Sequence, residues 1–300
     1  MMIVPLAPAR KGYNVHGGYT MKYANLHLHS IYSDAWFTPY QLVVIGKSLG
    51  YQALALTDHQ TDGGWHTFKR CAEQNGITPV LGAEFYGNFE GKCLHFTALD
   101  YDYNHPGIRA LIRQECEAMT EWTRRRFQRA VENGWISGLE WEQIVSMFGP
   151  DTWICHDTVQ YAANVLRVVP DDFNWGSFRE KTWKAPEVKA WKKPFPYADE
   201  VISIVRDAGG VIAWAHPDVV FPTVEKLVKL GLNGIEVNHP DMTEQATADA
   251  EEAARKFNLY RSGGTDHTGP MSGVGGKFAI PVFNGIDEED FRILMERRLG

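Results

Sequence analysis

Long hydrophobic runs are missing from this sequence. No apolar stretch approaches the roughly 20 residues that a membrane-spanning helix requires, so a protein without a membrane span is expected. Cysteine is also scarce: Cys71, Cys93, Cys116 and Cys155 are the only four, and they show no Cys-x-x-Cys spacing. We therefore expect reduced thiols of a cytosolic protein, and neither a disulfide framework nor a zinc ribbon.

Positive charge is in short supply as well. Lysine and arginine number 30 against 37 aspartates and glutamates, which gives a formal net charge of −7. This balance argues against a protein that holds duplex nucleic acid by general electrostatics. The sequence also contains no internal repeat and no low-complexity tract. Its 300 residues suit one barrel-sized domain or a domain with an insertion.

Strands and helices alternate over most of the chain. In the first part, strands are predicted at 23–28, 52–57, 78–84 and 92–99, with helices at 38–49 and 63–75. In the last part, helices are predicted at 198–208, 222–230, 242–257 and 287–297, with strands at 211–215, 234–238 and 259–262. Such alternation predicts an α/β fold with a parallel sheet or barrel. In these folds, functional side chains collect at the carboxyl ends of the strands.

Residues 101–197 interrupt this alternation. His105 to Asn133 reads as one long helix with an apolar face, and its other face carries arginines at 109, 113, 124, 125, 126 and 129. Shorter helices are predicted at 141–148 and 157–168, before a stretch rich in tryptophan, lysine and proline. We expect a helical insertion domain over 101–197 above the mouth of a barrel built from 22–100 and 198–300. Residues 1–21 are expected to form an N-terminal arm.

Histidines and carboxylates recur at the ends of the short apolar runs. His27 and His29 are two positions apart on an extended segment, so their side chains point to the same side. Further candidates follow the later runs: Asp34, His59, Glu84, His95, His216, Asp266 and His267. Imidazoles and carboxylates that converge in this way bind divalent metals. Together they predict a polynuclear metal site.

The motifs from Asn25-Leu26-His27-Leu28-His29 to Gly264-Thr265-Asp266-His267 resemble the PHP (polymerase and histidinol phosphatase) family of metal-dependent phosphoesterases. Within that family, the sequence is most similar to the branch that hydrolyses nucleotides and short oligonucleotides from one end. The resemblance spans roughly 22–100 and 198–285. It implies a distorted barrel of seven β/α units with two or three divalent metal ions at its mouth. Mixed imidazole and carboxylate ligands favour Mn²⁺, Fe²⁺ or Zn²⁺.

The resemblance also implies three sets of ligands. The first metal takes His27, His29, Glu84 and Asp266, and Glu84 bridges to a second metal held by His95 and His216. The third takes Asp34, His59 and His267. The branch usually places one residue between the last aspartate and histidine, but here Asp266 and His267 are adjacent. His267 therefore reaches a metal only if the loop turns there, which Gly263, Gly264 and Gly269 favour.

A second departure concerns the substrate. The branch often carries Arg-Pro-His in its insertion, and that arginine holds a substrate phosphate. Here Ile154-Cys155-His156 stands in its place, so the substrate is left open. His156 is a candidate substrate contact for the same reason.

Phosphoester hydrolysis follows from such a centre. Two cations that share a water lower its pKa toward neutrality, and the hydroxide attacks phosphorus. Glu84 and Asp266 are predicted to be catalytic, together with His239, which either touches the substrate, donates a proton or is only a loop residue. Asp58 is expected to position its neighbours and not to bind metal.

The predicted substrate is a small phosphorylated molecule such as a nucleotide, a nucleoside bisphosphate or the end of a short oligonucleotide. Two alternatives remain open at this point. One is a phosphatase of a non-nucleotide metabolite such as histidinol phosphate. The other is a degenerate barrel that binds a nucleotide or a protein without turnover, although the presence of all nine ligands argues against it.

Overall fold

The computed structural model describes residues 22–148, 153–189, 194–267 and 284–297. The strands are β1 (Ala24–Asn25), β2 (Ala53–Leu56), β3 (Thr78–Phe89), β4 (Lys92–Leu99), β5 (Val211–Trp214), β6 (Gly234–Asn238) and β7 (Tyr260–Gly263). The helices are α1 (Pro39–Ser48), α2 (Trp65–Gln74), α3 (Pro106–Glu132), α4 (Trp141–Phe148), α5 (His156–Val165), α6 (Trp175–Thr182), α7 (Pro186–Lys189), α8 (Ala198–Asp207), α9 (Thr223–Lys229), α10 (Glu244–Phe257) and α11 (Glu288–Glu296). The predicted arm, 1–21, and Gly269 lie outside the described residues.

The seven strands form one sheet in the order of the sequence, from β1 to β7. Residues 26–29 after β1 and 263–267 after β7 then meet along a line that we call the seam. The backbone N–H of Leu26 donates to Gly263 across it (2.9 Å), and that of Asp266 donates to His27 (2.9 Å). The strands thus form a nearly closed barrel, which confirms the predicted fold class.

The parallel pairing expected from the alternation of strands and helices does not extend to β4. This strand is antiparallel to both β3 and β5, whereas the other neighbouring pairs are parallel. The cause is a two-residue hairpin in which Glu90 and Gly91 have φ angles of 46° and 81°. Positive φ at both central positions is the requirement of the tight turn that joins twisted antiparallel strands. Pairing with β4 also carries β3 to Phe89, beyond its predicted end at 84.

The barrel helices begin and end close to their predicted positions, and α1 illustrates why. Thr38 accepts a hydrogen bond from the backbone N–H of Gln41 (3.3 Å), and Gln41 accepts one in return from the Thr38 N–H (2.9 Å). This reciprocal pair satisfies N–H groups that a helix start leaves free, and Pro39 has no N–H to satisfy. Leu42 and Val43 then pack against β2. Helix α1 is thereby held directly behind the 30–38 loop.

Helices α3 to α7 lie between β4 and α8, where the insertion is predicted. The apolar face predicted for α3 is buried. Its C-terminal part, with Phe127 and Ala130, forms a separate hydrophobic cluster with α4, α5 and α6. Arg126 departs from the prediction: it was placed on the solvent face, but only 4% of it is exposed. The division into barrel and insertion domains stays a prediction. No helix in the described ranges has both the length and the apolar character needed to cross a bilayer.

Candidate metal centre

Eight of the nine predicted ligands converge at one end of the barrel. Their ligand atoms fall into three groups, each lying within 4.8 Å of one another: His27, His29, Glu84 and Asp266; Glu84, His95 and His216; and His29, Asp34 and His59. The first two groups have the predicted membership. Most of these side chains are buried, although His95, His216 and Asp266 keep about a quarter of their side-chain surface exposed. The arrangement is therefore open on one side.

Strand pairing explains why these residues meet. The chain after β2 continues beside β3, so that His59 pairs with Glu84. In the hairpin, His95 lies opposite Tyr86, two positions from Glu84 on the same strand face. The first residue after β5 donates its backbone N–H to His95 (2.9 Å), which places His216 next to it. Neighbouring strand ends thus supply neighbouring imidazoles.

Glu84 lies at the centre of the site and uses its two oxygens differently. Its Oε2 lies 3.4 Å from Nε2 of His27, 3.4 Å from Nε2 of His29 and 2.9 Å from Nδ1 of His59. Its Oε1 lies 3.2 Å from Nδ1 of His95 and 3.3 Å from Nε2 of His216. One carboxylate oxygen therefore faces each side of the site, as a bridging ligand requires.

Asp266 reaches the site through an unusual backbone conformation. Its φ is 48°, and its Oδ1 lies 2.9 Å from Nε2 of His29 and 3.5 Å from Nε2 of His27. Gly264, two residues earlier, makes this approach possible. A Cβ atom there would lie 2.4 Å from both Cβ and N of His27, which is too close for any side chain. The seam can close at this point only with glycine.

His267 does not join the third group, and this corrects the predicted ligand set. Its ring is fully buried and stacks on Phe37, with ring centroids 5.3 Å apart. The left-handed backbone at Asp266 (φ 48°) turns that side chain toward the site and leaves the His267 ring against Phe37. The expected turn is present at Asp266, but it does not redirect the next side chain. His29 takes the place of His267 beside Asp34 and His59.

Glu236 is a functional residue that sequence reasoning missed. It is fully buried, and it accepts a hydrogen bond from Nδ1 of His27 (2.9 Å) and from the backbone N–H of His216 (2.6 Å). With its Nδ1 proton held there, His27 presents the Nε2 lone pair to the site, as metal-bound histidines do. The signal was a glutamate inside an otherwise apolar strand, Gly234–Asn238.

Asp58 positions the loop between His29 and Asp34. It accepts hydrogen bonds from the backbone N–H of Ser30 (2.6 Å), from its hydroxyl (2.7 Å) and from the hydroxyl of Ser33 (2.7 Å). Asp58 belongs to none of the groups of converging ligand atoms in the described chain. Both observations agree with the expectation that it positions its neighbours.

His239 lies at the edge of the same site. Its Nδ1 accepts a hydrogen bond from the backbone N–H of Asp241 (3.1 Å), and its Nε2 lies 3.4 Å from Oδ2 of Asp266. An imidazole that accepts at one nitrogen carries its proton on the other. The ring therefore presents an N–H to the site, as a proton donor does. The ligand atoms of His239 also lie within 4.8 Å of those of His27 and Glu236, in a fourth group that could hold a metal ion.

The charges of the site are strongly coupled. Burial opposes the charged form of His27 and His59, but the facing carboxylates raise the pKa of each ring well above its usual value. Burial likewise opposes ionisation of Glu84 and Asp266, but the histidines hold the pKa of each carboxyl well below its usual value. His95 behaves differently, because burial lowers its pKa to about 4. The carboxylates are thus anionic at neutral pH, and His95 has a free lone pair.

The donor set fits divalent metal ions. Several buried atoms that face the centre make no hydrogen bond of normal geometry, even where a ring nitrogen and a carboxylate oxygen lie 2.9 Å apart: Nε2 of His27, Nδ1 and Nε2 of His29, Nδ1 of His59 and Oε2 of Glu84. Buried polar atoms are normally satisfied, so a shared cation is the simplest partner for all of them. Imidazoles mixed with carboxylates suit Mn²⁺, Fe²⁺ or Zn²⁺.

The helical segment contributes aromatic rings to the surroundings of the centre. The Trp153 ring stacks on His59, with centroids 6.2 Å apart, and its indole N–H donates to Oε1 of Gln60 (2.7 Å). Three of the six α3 arginines form ion pairs: Arg109 with Asp62, Arg124 with Glu121, and Arg129 with Glu187. His156 is buried beside Trp183 and belongs to none of the groups of converging ligand atoms in the described chain.

Comparisons with known proteins agree with this site. The model of the PHP domain matches residues 25–210. A 5'-3' exoribonuclease of Haemophilus influenzae is 29% identical over 267 residues, which cover 85% of this chain and 93% of that protein. A phosphoribosyl 1,2-cyclic phosphate 1,2-diphosphodiesterase of Eggerthella lenta is 25% identical and covers 83% of this chain and 95% of its own.

The fold has a solved counterpart. A structure from Bifidobacterium adolescentis, described as that of a metal-dependent phosphoesterase, superimposes with a TM-score of 0.78. It is 23% identical and covers 92% of this chain and 96% of that one, so the likeness concerns the fold. The predicted family and phosphoesterase class are confirmed by the family match and the curated relatives. The chain belongs to the PHP domain family.

Proposed function

We propose that the protein hydrolyses phosphate esters at one end of a nucleotide-type substrate, such as a nucleoside bisphosphate or a short oligonucleotide. Two or three divalent ions (Mn²⁺, Fe²⁺ or Zn²⁺) at the metal centre are part of this proposal. The observation that carries it is Glu84, whose two oxygens face separate sets of imidazoles. A carboxylate in this position suits a pair of neighbouring cations.

The chain's residues have distinct tasks in this reaction. Bound divalent ions supply Lewis acidity and an activated water at neutral pH. Glu84 and Asp266 supply the negative charge that keeps cations at the site, and Glu236 and Asp58 hold the ligands in place. The surrounding aromatic rings of Tyr86 and Trp153 limit water access, because they stack on His95 (4.1 Å between centroids) and on His59. No serine or cysteine nucleophile is required.

His239 is the proposed proton donor. Hydrolysis leaves an alkoxide on the departing group, and a positioned N–H that protonates it accelerates the step. Nε2 of His239 carries the proton, because Nδ1 accepts the Asp241 N–H. Asp266 lies 3.4 Å from that nitrogen and orients the ring toward the site.

Exposed aromatic side chains beside Asp34 support a nucleotide substrate. Tyr32 is 41% exposed and Trp36 is 52% exposed, on the loop between His29 and α1. Large exposed aromatic rings on the loop that also carries Asp34 are suited to stacking on a base. The name of the relative from Haemophilus influenzae, a 5'-3' exoribonuclease, agrees with a nucleotide-type substrate.

The test is a screen of phosphate release with Mn²⁺ added. Substrates are nucleoside bisphosphates, 5'-phosphorylated oligoribonucleotides, sugar phosphates and histidinol phosphate. We expect the highest kcat/KM on the nucleotide-type esters. Preference for histidinol phosphate or a sugar phosphate would reject the substrate class but keep the chemistry. No turnover of any ester by protein with full metal content would reject the hydrolase.

The role of Trp36 in base stacking can be tested in the same screen. Trp36→Ala removes one stacking ring, and base stacking contributes about 1–3 kcal/mol. We therefore expect KM for the nucleotide substrate to rise about 10-fold or more, while KM for a sugar phosphate stays constant. Tyr161→Ala, which removes an exposed aromatic ring of α5, is the matched control. An equal rise for both substrates would place Trp36 outside base recognition.

A further inference from the structure

A second polar site lies inside the insertion. It is a cavity of about 10 Å³ between α3, α5 and α6, lined by Thr123, Arg126, Phe127, His156, Val159, Phe178, Thr182 and Trp183. None of these residues belongs to the groups that form the metal centre. We call it the Arg126 cavity. This volume is the space open to the centre of a water-sized sphere, so the cavity has room for one small spherical ligand.

Arg126 is a buried cation with an incomplete set of partners. Its guanidinium lies between two indole rings, 4.1 Å from the centroid of Trp122 and 3.7 Å from that of Trp183. These rings stabilise the faces of the guanidinium. Its N–H groups, however, lie in the plane of the group, and Nε and Nη1 have no hydrogen-bond partner. Over the described ranges, no carboxylate forms an ion pair with Arg126.

Two further residues leave polar atoms without hydrogen bonds at the same cavity. Thr123 is fully buried, and its hydroxyl oxygen has no partner. His156 is 5% exposed, and neither of its ring nitrogens makes a hydrogen bond. The nearest carboxylate to it is that of Asp157, with Oδ1 3.6 Å from Nδ1. Buried atoms of three side chains on two helices are thus unsatisfied around one small volume.

The electrostatics of the cavity are positive. Burial lowers the pKa of Arg126 to about 8, and the nearby Arg179 lowers it further in the same direction. A guanidinium nevertheless keeps its proton in proteins, so the unfavourable burial has to be relieved by a counter-charge. A buried water could satisfy the hydrogen bonds but would leave that charge uncompensated.

We propose that the Arg126 cavity binds a small monovalent anion of halide size, such as chloride. The anion accepts hydrogen bonds from the guanidinium edge, from the Thr123 hydroxyl and from an N–H of His156. It also supplies the missing negative charge. Phosphate and carboxylate ligands are excluded by the volume. The anion connects α3, α5 and the end of α6, and so stabilises the insertion beside the metal centre.

The experiment compares thermal unfolding of the full-length, metal-loaded protein in sodium chloride, sodium bromide and sodium gluconate at equal ionic strength. Gluconate is too large for the cavity. We expect a higher Tm in both halides than in gluconate. Arg126→Met keeps an unbranched side chain between the indoles but removes the charge, so its Tm should no longer depend on the anion. Arg125→Met removes an exposed arginine of the same helix and should retain the dependence.

Crystals of the unaltered protein soaked in bromide give a test that does not rely on a variant. Anomalous density between Arg126, Thr123 and His156 is the expected result. A water in that position with no bromide density would overturn the proposal. So would a halide effect of equal size in Arg126→Met, because the responsible site would then lie elsewhere. If Arg126→Met fails to fold, the bromide density alone decides.

Discussion

Glu84 is the residue on which the metal centre depends most. Glu84→Gln keeps the shape of the side chain but removes the charge that faces both sets of imidazoles. We expect kcat to fall at least about 10²-fold, the scale of one lost electrostatic stabiliser, with bound metal reduced to less than one equivalent. Glu73→Gln, at an exposed glutamate of α2, should change neither quantity. Near-normal turnover in metal-replete Glu84→Gln would show that the bridging charge comes from another residue.

The role of His239 as a proton donor can be distinguished from that of a metal ligand by comparing substrates whose leaving groups do and do not need protonation. His239→Gln removes the ring N–H that faces Asp266. Turnover of an alkyl phosphate ester should fall by about 10²–10⁴, the usual range for a lost general acid. Turnover of a nitrophenyl ester should change little, because that leaving group departs without protonation. Metal content should stay constant. A loss of metal instead would assign His239 to the ligands.

Most of the site could be predicted at the scale of residues because strand ends of a barrel meet. The convergence of His27, His29, Glu84 and His95 required only that these residues follow strands, whereas the division of the ligands into groups came from the family resemblance. The direction of His267 could not be predicted, since it depends on the backbone at Asp266, whose φ is 48°. Glu236 was missed for a different reason. A carboxylate that binds a histidine, and not an ion, has no spacing rule in the sequence.

The segment around Gly264 joins the two edges of the barrel. A methyl group there would lie 2.4 Å from His27 Cβ, so Gly264→Ala must push His27 or the 263–267 strand outward. We expect a loss of about 1–3 kcal/mol in the free energy of unfolding, as for other overpacked sites. Metal content should fall with it, because His27 moves away from Glu84.

Gly176→Ala is the matched control for that variant. Gly176 lies in α6, and the nearest atom to an added Cβ is 3.4 Å away. Alanine is also preferred over glycine within a helix. Stability should therefore be unchanged or slightly higher, measured by denaturant unfolding. If Gly264→Ala proves equally harmless, the close approach at the seam is not required.

Helical periodicity predicted α3 well but misjudged one of its faces. A single apolar stripe assumes one packing surface, and that stripe is buried as expected from Ile108 to Ala130. Two other segments pack against α3 as well: Trp183 covers Arg126 from the end of α6, and the backbone N–H of Tyr86 in β3 donates to the buried Glu115 (2.9 Å). In the sequence, charged residues such as Arg126 and Glu115 cannot be distinguished from those of a solvent-exposed helix face, because the segments that cover them are distant in the chain.

The charge pattern of the whole barrel mouth gives the metal-free protein a specific pH dependence. Burial opposes the charged forms of His27 and His59, but the facing carboxylates raise the pKa values of both rings. Their contribution to stability is therefore complete below about pH 6.5 and is lost as pH rises through the raised values. Burial opposes ionisation of Glu84 and Asp266 as well, but the neighbouring histidines lower the pKa values of both carboxyl groups. These two groups therefore stabilise the fold above about pH 4, and this stability is lost on acidification.

Burial lowers the pKa of His95 to about 4, so below about pH 6.5 the unfolded ring binds a proton that the folded ring does not, and stability falls on acidification. We therefore expect the chelated protein to be most stable at about pH 6.5 and to lose stability above and below it. Metal-loaded protein should instead gain stability as pH rises, because protons compete with metal ions for imidazole. Tm measured with and without a chelator on both sides of that pH tests both statements. The gap between the two curves should widen from pH 6 to pH 8 or so. A chelated protein whose Tm is constant over that interval would contradict the coupling.

The closed seam has a consequence for how the chain loses its fold. Asn25 donates to the Thr265 hydroxyl across it (2.9 Å), and these residues are 240 positions apart in the sequence. An ion shared by His27 and Asp266 is therefore a crosslink around nearly the entire chain. A crosslink that closes a loop of that length restricts the denatured ensemble by about 5 kcal/mol in the chain-entropy description. Removing the ion should open the barrel between its first and last strands, and backbone amides such as those of Leu26 and Asp266 should then exchange their hydrogens first.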